Sequence, residues 1–213
     1  PGHMGRIAKI SNVGLRQAKG EYVAILDDDD WWADPKKLEK QVGFLDKNRD
    51  YVGCGGGLIL VDKNGREMGR MLKAEHDNDI RKYLLSAANV TMANSTTLFR
   101  RGVAREAGFY DETMLQYADW DFWLKLGLRG KLYNFPEYFL AYRAWGGGMS
   151  FTEQEECARS GMRIVHRYKN KYPGFWFAVC YMYAYTTYAY FPDGIKRFLN
   201  PLLSRLKKAL FSR

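Results

Sequence analysis

A chain of 213 residues with 46% hydrophobic content can bury one sizeable core, and its length fits one domain plus an appendage better than two full domains. The formal net charge of +9 suggests an anionic partner, but no RNP-like, zinc-finger or helix-turn-helix signature accompanies the basic residues, so a nucleic-acid partner is set aside. Cys54, Cys157 and Cys180 lie far apart without a paired spacing, which indicates neither a disulfide framework nor a zinc site and reads as a cytosolic chain.

Residues 1–4, Pro1-Gly2-His3-Met4, read as a cloning scar and are set aside, and no signal peptide follows. From Gly5 to Lys19, Ile7, Ile10, Val13, Leu15 and Ala18 recur at helical spacing, and Gly20 reads as the glycine that closes the helix. Tyr22-Val23-Ala24-Ile25-Leu26 is an apolar run that reads as a buried strand, and a short helix-to-strand link of this kind is typical of an α/β layer fold. Four carboxylates follow at once, Asp27-Asp28-Asp29-Asp30, at the carboxyl end of the strand, where open α/β sheets place ligands. Adjacent carboxylates repel, so the run is explained either by a hard divalent cation with oxygen ligands or by a solvated acidic turn capping the helix from Pro35.

Leu38, Val42 and Leu45 share one face of a helix over 35–48. Tyr51 to Val61 reads as a strand, with Gly53 and Gly55-Gly56-Gly57 allowing a close approach, a bulge or plain sheet packing, and 62–66 as its hairpin turn. A helix over 77–88, a strand over 96–100 and a short helix over 101–108 closed by Gly108 follow. In Ala118-Asp119-Trp120-Asp121-Phe122-Trp123-Leu124, Asp119 stands at a helix start, as an N-cap or as a general base facing a cleft. Beyond a helix over 151–172, the aromatic run 175–191 is slightly short and too rich in tyrosine for a clean membrane span, so it reads as interfacial or buried in protein. After Pro192, apolar residues alternate with Lys196, Arg197, Arg205, Lys207 and Lys208 as in a basic amphipathic helix that lies on anionic lipid.

The ordered blocks Asn12-Val13-Gly14-Leu15, Ala18 through Trp32, Pro35 through Glu39, Gly108 through Glu112, Ala118 through Leu124, and Tyr142-Arg143 with Gly146-Gly147 and Ser150 resemble family 2 glycosyltransferases. The resemblance covers about residues 5 to 150. It implies an N-terminally truncated GT-A-like (Rossmann-like) α/β sheet with flanking helices over 5–150 and a helical aromatic and basic extension over 151–213. It further implies a hexosyltransferase-type enzyme. Such an enzyme moves a sugar, with inversion, from a nucleotide donor (a UDP-sugar by preference) to a hydroxyl acceptor that the basic tail makes a candidate for lipid linkage. By resemblance, Asp27, Asp28 and Asp29 bind the donor, with Asp27 and Asp29 at the DXD positions and Asp29 holding Mn²⁺ or Mg²⁺, while Asp119 is the catalytic base. Trp31 and Trp32 read as lid or core packing.

Three departures stand out. Ala118 replaces the acidic neighbour of the base, Trp145 stands where many relatives carry a histidine, and the usual first strand-helix-strand-helix is absent. The last implies weak or donor-hydrolysing activity, or a non-catalytic scaffold derived from the family, and an apolar sheet edge covered by a homodimer partner or by the chain's own C-terminal part. The tail implies a peripheral position on the cytoplasmic membrane face.

Overall fold

The computed structural model describes residues 7–86, 91–143, 153–192 and 194–195. The expectations for 1–4, Trp145, Gly146-Gly147, Ser150 and the basic segment from Lys196 onward lie outside the described residues. In chain order the elements are α1 (Ile7–Gln17), β1 (Tyr22–Ala24), β2 (Trp31–Trp32), α2 (Lys37–Lys47), β3 (Tyr51–Val61), β4 (Glu67–Met71) and α3 (Asp77–Leu84). A 3₁₀ turn at Asn94–Thr96 leads into β5 (Leu98–Arg100) and α4 (Arg101–Glu106), then α5 (Ala118–Gly127), β6 (Lys131–Arg143), α6 (Gln154–Arg167) and α7 (Phe175–Ala189).

Six strands form one mixed sheet in the order β1-β5-β3-β6-β2, with β4 added beside β3. Only β3 and β6 run parallel among the described strands, and the other pairings are antiparallel. The α/β class and flanking helices agree with the sequence reading. β3 is central because it has almost no side chains in its middle. A Cβ on Gly55 would sit 2.6 Å from Asn134 Oδ1, one on Gly56 2.5 Å from the Phe139 ring, and one on Gly57 2.8 Å from the Met71 carbonyl. Close approach therefore accounts for the triplet, and the β3–β6 register also shifts at Gly56 and Gly57.

The main core lies between the sheet and α5, which is buried nearly all round through Trp120, Phe122, Trp123, Leu124 and Leu126. Phe122 packs edge-on against Phe99 of β5 and stacks on Tyr110, with ring centroids 5.1 and 4.4 Å apart. α3 contributes Ile80 and Leu84, α6 contributes Ile164 and Val165, and α7 contributes Ala178 and Met182 to the same core.

Several boundaries differ from the sequence reading for local reasons. β1 stops at Ala24, because Ile25 and Leu26 leave the sheet to feed the acidic loop, and Leu26 is exposed. Gly20 does not close α1: the helix ends at Gln17, and left-handed glycine conformations occur instead at Gly65, Gly108 and Gly174. Gly108, with φ +84°, ends α4 as expected. The strand expected from Thr96 begins at Leu98, since the Thr96 and Thr97 hydroxyls donate back to Ala93 O and Asn94 O and hold the chain in a turn.

Candidate active site

The acidic run is a loop between β1 and β2, pinned from below by the Asn94–Thr96 turn. Ser95 Oγ donates to Asp27 Oδ2 at 2.8 Å and accepts from Asp27 N at 3.2 Å, while Trp32 Nε1 donates to Ser95 O at 3.1 Å. Asp27, Asp28 and Asp29 keep solvent-exposed edges, as ligand-binding groups must. Asp30 turns the other way. It is buried, and its Oδ1 accepts the Arg143 N–H at 3.1 Å, fastening the loop to the end of β6.

Asp119 sits at the second position of α5, not at its N-cap. That place is taken by Tyr117 in a left-handed conformation, φ +60°, without a side-chain cap. The Asp119 carboxylate accepts the backbone N–H of Trp120 and keeps an edge accessible to solvent. Loss of water around it raises its pKa above the usual carboxylate range, and the charge of Asp27 raises it further. Asp27 is shifted the same way, first by burial and then by Asp29 and Asp28, with the Ser95 hydroxyl opposing. The two groups, far apart in the chain, thus share one electrostatic site. Tyr142, next to last in β6, is near the same charges: burial raises the pKa of its hydroxyl first, and Asp30, Asp29, Asp27 and Asp119 raise it further. Tyr110 lies beside the site, buried, with its hydroxyl donating to Asn94 Oδ1 at 3.2 Å.

Asn12 ties two of the ordered sequence blocks to each other. Buried beneath the site, it donates to Tyr110 O and Glu112 Oε1, both at 2.9 Å, and its Oδ1 accepts the Tyr110 N–H at 3.0 Å. It fixes the 108–112 loop, in which Phe109 also takes a positive φ of 58°. Ser95, Asn94, Tyr110 and Tyr142 do not stand out in the sequence as site residues. The polar cluster Asn94-Ser95-Thr96-Thr97 just before a strand is the signal for the first two.

Among the described residues, no three His, Cys, Asp or Glu side chains converge to form a closed metal shell. The donors present are carboxylate oxygens on an exposed loop. They suit Mg²⁺ or Mn²⁺, which take one or two carboxylates and fill the remaining positions with water and phosphate oxygens. Asp29, on the exposed part of the loop, is the residue that would hold such an ion.

Residues 6–108 match the model of the family described as glycosyl transferase family 2. An uncharacterized glycosyltransferase of Haemophilus influenzae is 33% identical over 174 residues, covering 75% of this chain and 53% of the relative. The amylovoran biosynthesis glycosyltransferase AmsE of Erwinia amylovora is 27% identical over 139 residues, covering 65% of this chain and 50% of AmsE. The chain spans about half the length, or less, of the curated relatives it matches. Among solved structures, S. aureus TarS 1–349 in complex with UDP is similar with a TM-score of 0.52 at 20% identity, over 78% of this chain and 46% of that one. The mannosyltransferase PcManGT from Pyrobaculum calidifontis, in complex with GDP-Man and Mn²⁺, is similar with a TM-score of 0.52 at 16% identity, over 84% of this chain and 48% of that one. The matched family model and the named relatives agree, and over residues 6–108 the chain is a family 2 glycosyltransferase, with a fold shared by the solved structures.

Proposed function

We propose that the protein transfers a sugar from a nucleotide donor to a hydroxyl acceptor, with inversion, and that Asp119 is its general base. The observation that carries this reading is that Asp119, 92 positions from Asp27 in the chain, lies close enough for the Asp27 charge to raise its pKa. In this reading Asp27 and Asp28 contact the donor, and Asp29 holds the divalent ion. When bound, that ion neutralises the diphosphate leaving group. Asp119 accepts the acceptor hydroxyl proton as the oxygen attacks the anomeric carbon. Its raised pKa makes it a stronger base than an ordinary carboxylate, while α5 amides keep it oriented. A UDP-sugar is the preferred donor, supported by the UDP held by TarS, with a GDP-sugar as the rival, supported by the GDP-Man held by PcManGT.

Calorimetry with UDP- and GDP-sugars, with and without Mn²⁺, tests donor and ion together. Binding is expected only with the ion and is expected to be lost in Asp29→Ala. Asp119→Asn is expected to keep donor binding and to lower transfer or donor hydrolysis by about 10²- to 10⁴-fold, the usual contribution of a positioned base. A chain that binds no nucleotide in the presence of metal would instead be a scaffold derived from the family.

A further inference from the structure

α7 carries no charged side chain along its 15 residues, and its two faces differ sharply. Ala178 and Met182 are buried, Met182 filling the space left by the missing side chain of Gly161. On the other side Trp176, Phe177 and Tyr183 are 75%, 50% and 62% exposed, with Cys180 exposed between them, and Tyr190 just past the helix is 64% exposed. Trp176, Cys180, Tyr183 and Tyr190 fall at helical spacing, so they form a single uncharged, aromatic stripe along one face.

The charge of the chain is segregated toward this element. Residues 1–156 hold 22 Lys and Arg against 23 Asp and Glu, whereas residues 157–213 hold 11 against the single Asp193. The whole net positive charge of the protein therefore belongs to its last quarter. Exposed Arg159, Arg163, Lys169 and Lys171 stand on α6 and on the turn that leads into α7, and the sequence beyond α7 adds six more basic residues. Among the described residues, no helix is long and apolar enough to cross a membrane. At 1.5 Å per residue α7 is about 22 Å long, short of a hydrocarbon core of about 30 Å. Tryptophan and tyrosine favour the headgroup level of a bilayer, and flanking lysine and arginine are attracted to anionic lipid.

We propose that α7 lies flat in the surface of an anionic phospholipid bilayer, seating the Trp176 to Tyr190 stripe at headgroup depth with the neighbouring Lys and Arg side chains on lipid phosphates. An uncharged stripe alone would equally suit a second copy of the chain. The exposed basic residues on α6 and on the turn into α7, together with the basic sequence that follows, favour lipid, because two copies carrying such charge repel each other. The inference does not depend on the transfer chemistry: a chain that binds vesicles and no nucleotide keeps it, and one that binds nucleotide and no vesicles loses it.

The test is flotation of the full chain with phosphatidylcholine vesicles and with vesicles containing phosphatidylglycerol. Binding is expected only with phosphatidylglycerol, is expected to weaken as salt is raised, and is expected to fall by about tenfold or more in Trp176→Ser/Tyr183→Ser, whose altered side chains are solvent-exposed. Quenching of tryptophan emission by brominated phosphatidylglycerol reads the same contact in the unmodified protein, so the result stands even if the variant misfolds. No flotation with phosphatidylglycerol, no quenching, or undiminished binding by a folded variant would each overturn the proposal. So would sedimentation showing that the stripe joins two copies and is closed to lipid.

Discussion

At Lys37 an ammonium group is fully enclosed with a neutral amide and an indole face for company. Nζ lies 2.8 Å from Gln41 Oε1 and 4.4 Å from the Trp32 ring centroid. Burial pulls its pKa down from 10.5 to about 8. Above pH 10.5 the group is neutral in both states and costs nothing. As pH falls the unfolded chain takes up the proton first, so folding loses stability until the folded lysine is also charged, below about pH 8. The shift corresponds to about 3 kcal/mol. Lys37→Met is therefore expected to gain stability relative to the parent at pH 7 and to lose that advantage near pH 10.5, read from urea unfolding at both pH values. A difference that does not change with pH would refute the account. None of this is legible at the sequence level, where Lys37 is one of two adjacent lysines near a helix start. The same holds for Ser95. Its hydrogen bonds to Asp27 span 68 positions, and the polar cluster at 94–97 marks a polar turn without naming that partner. Asp27, Asp29 and Asp119 each belong to an ordered block of the sequence, and the roles proposed for them come from those blocks.

Among the elements, the helices were easier to read than the strands. Apolar residues at three- and four-residue spacing mark α1 and α2 from side chains within each helix, so neighbours distant in the chain add little. Strand ends depend on partners. β2 consists of Trp31–Trp32 alone and exists because Leu140 and Ala141 of β6 pair with it, so it is invisible from its own composition. The start of α5 depends on backbone conformation: Tyr117 adopts a left-handed turn, which moves Asp119 into the helix and frees its carboxylate from the capping role that spacing allowed. In β3, Gly56→Ala is expected to destabilise the protein by about 1–3 kcal/mol, because the new methyl meets the Phe139 ring and the Glu137 carbonyl across the β3–β6 pair. A shift in urea midpoint with an unchanged slope would register it, and an unchanged midpoint would mean the sheet yields freely there.

Over the whole molecule, the α6–α7 unit is held to the sheet body by a buried cluster as well as by apolar packing. Asp121 of α5 has no solvent exposure. Its carboxylate meets Arg167 at 2.7 Å, Lys125 at 2.9 Å and the Tyr168 hydroxyl at 3.0 Å, and Arg167 also reaches Asp111 at 2.8 Å. Arg167→Met removes one cation from a buried carboxylate that keeps another. A loss of about 2–3 kcal/mol is expected, below the 3–5 kcal/mol of a fully orphaned buried charge. Limited proteolysis should then cut within α6–α7 before the sheet body, whereas uniform cleavage would place the junction elsewhere. The glycine triplet of β3 bears on how the protein can vary. Side chains of a strand point alternately to its two faces, so a strand crowded on one face tolerates change at every second position. At 55, 56 and 57 both faces are full. A map of all single substitutions should accordingly show three intolerant positions in a row at the centre of the sheet, a gap in mutational freedom that divides the chain's evolvable surface into two regions able to drift independently.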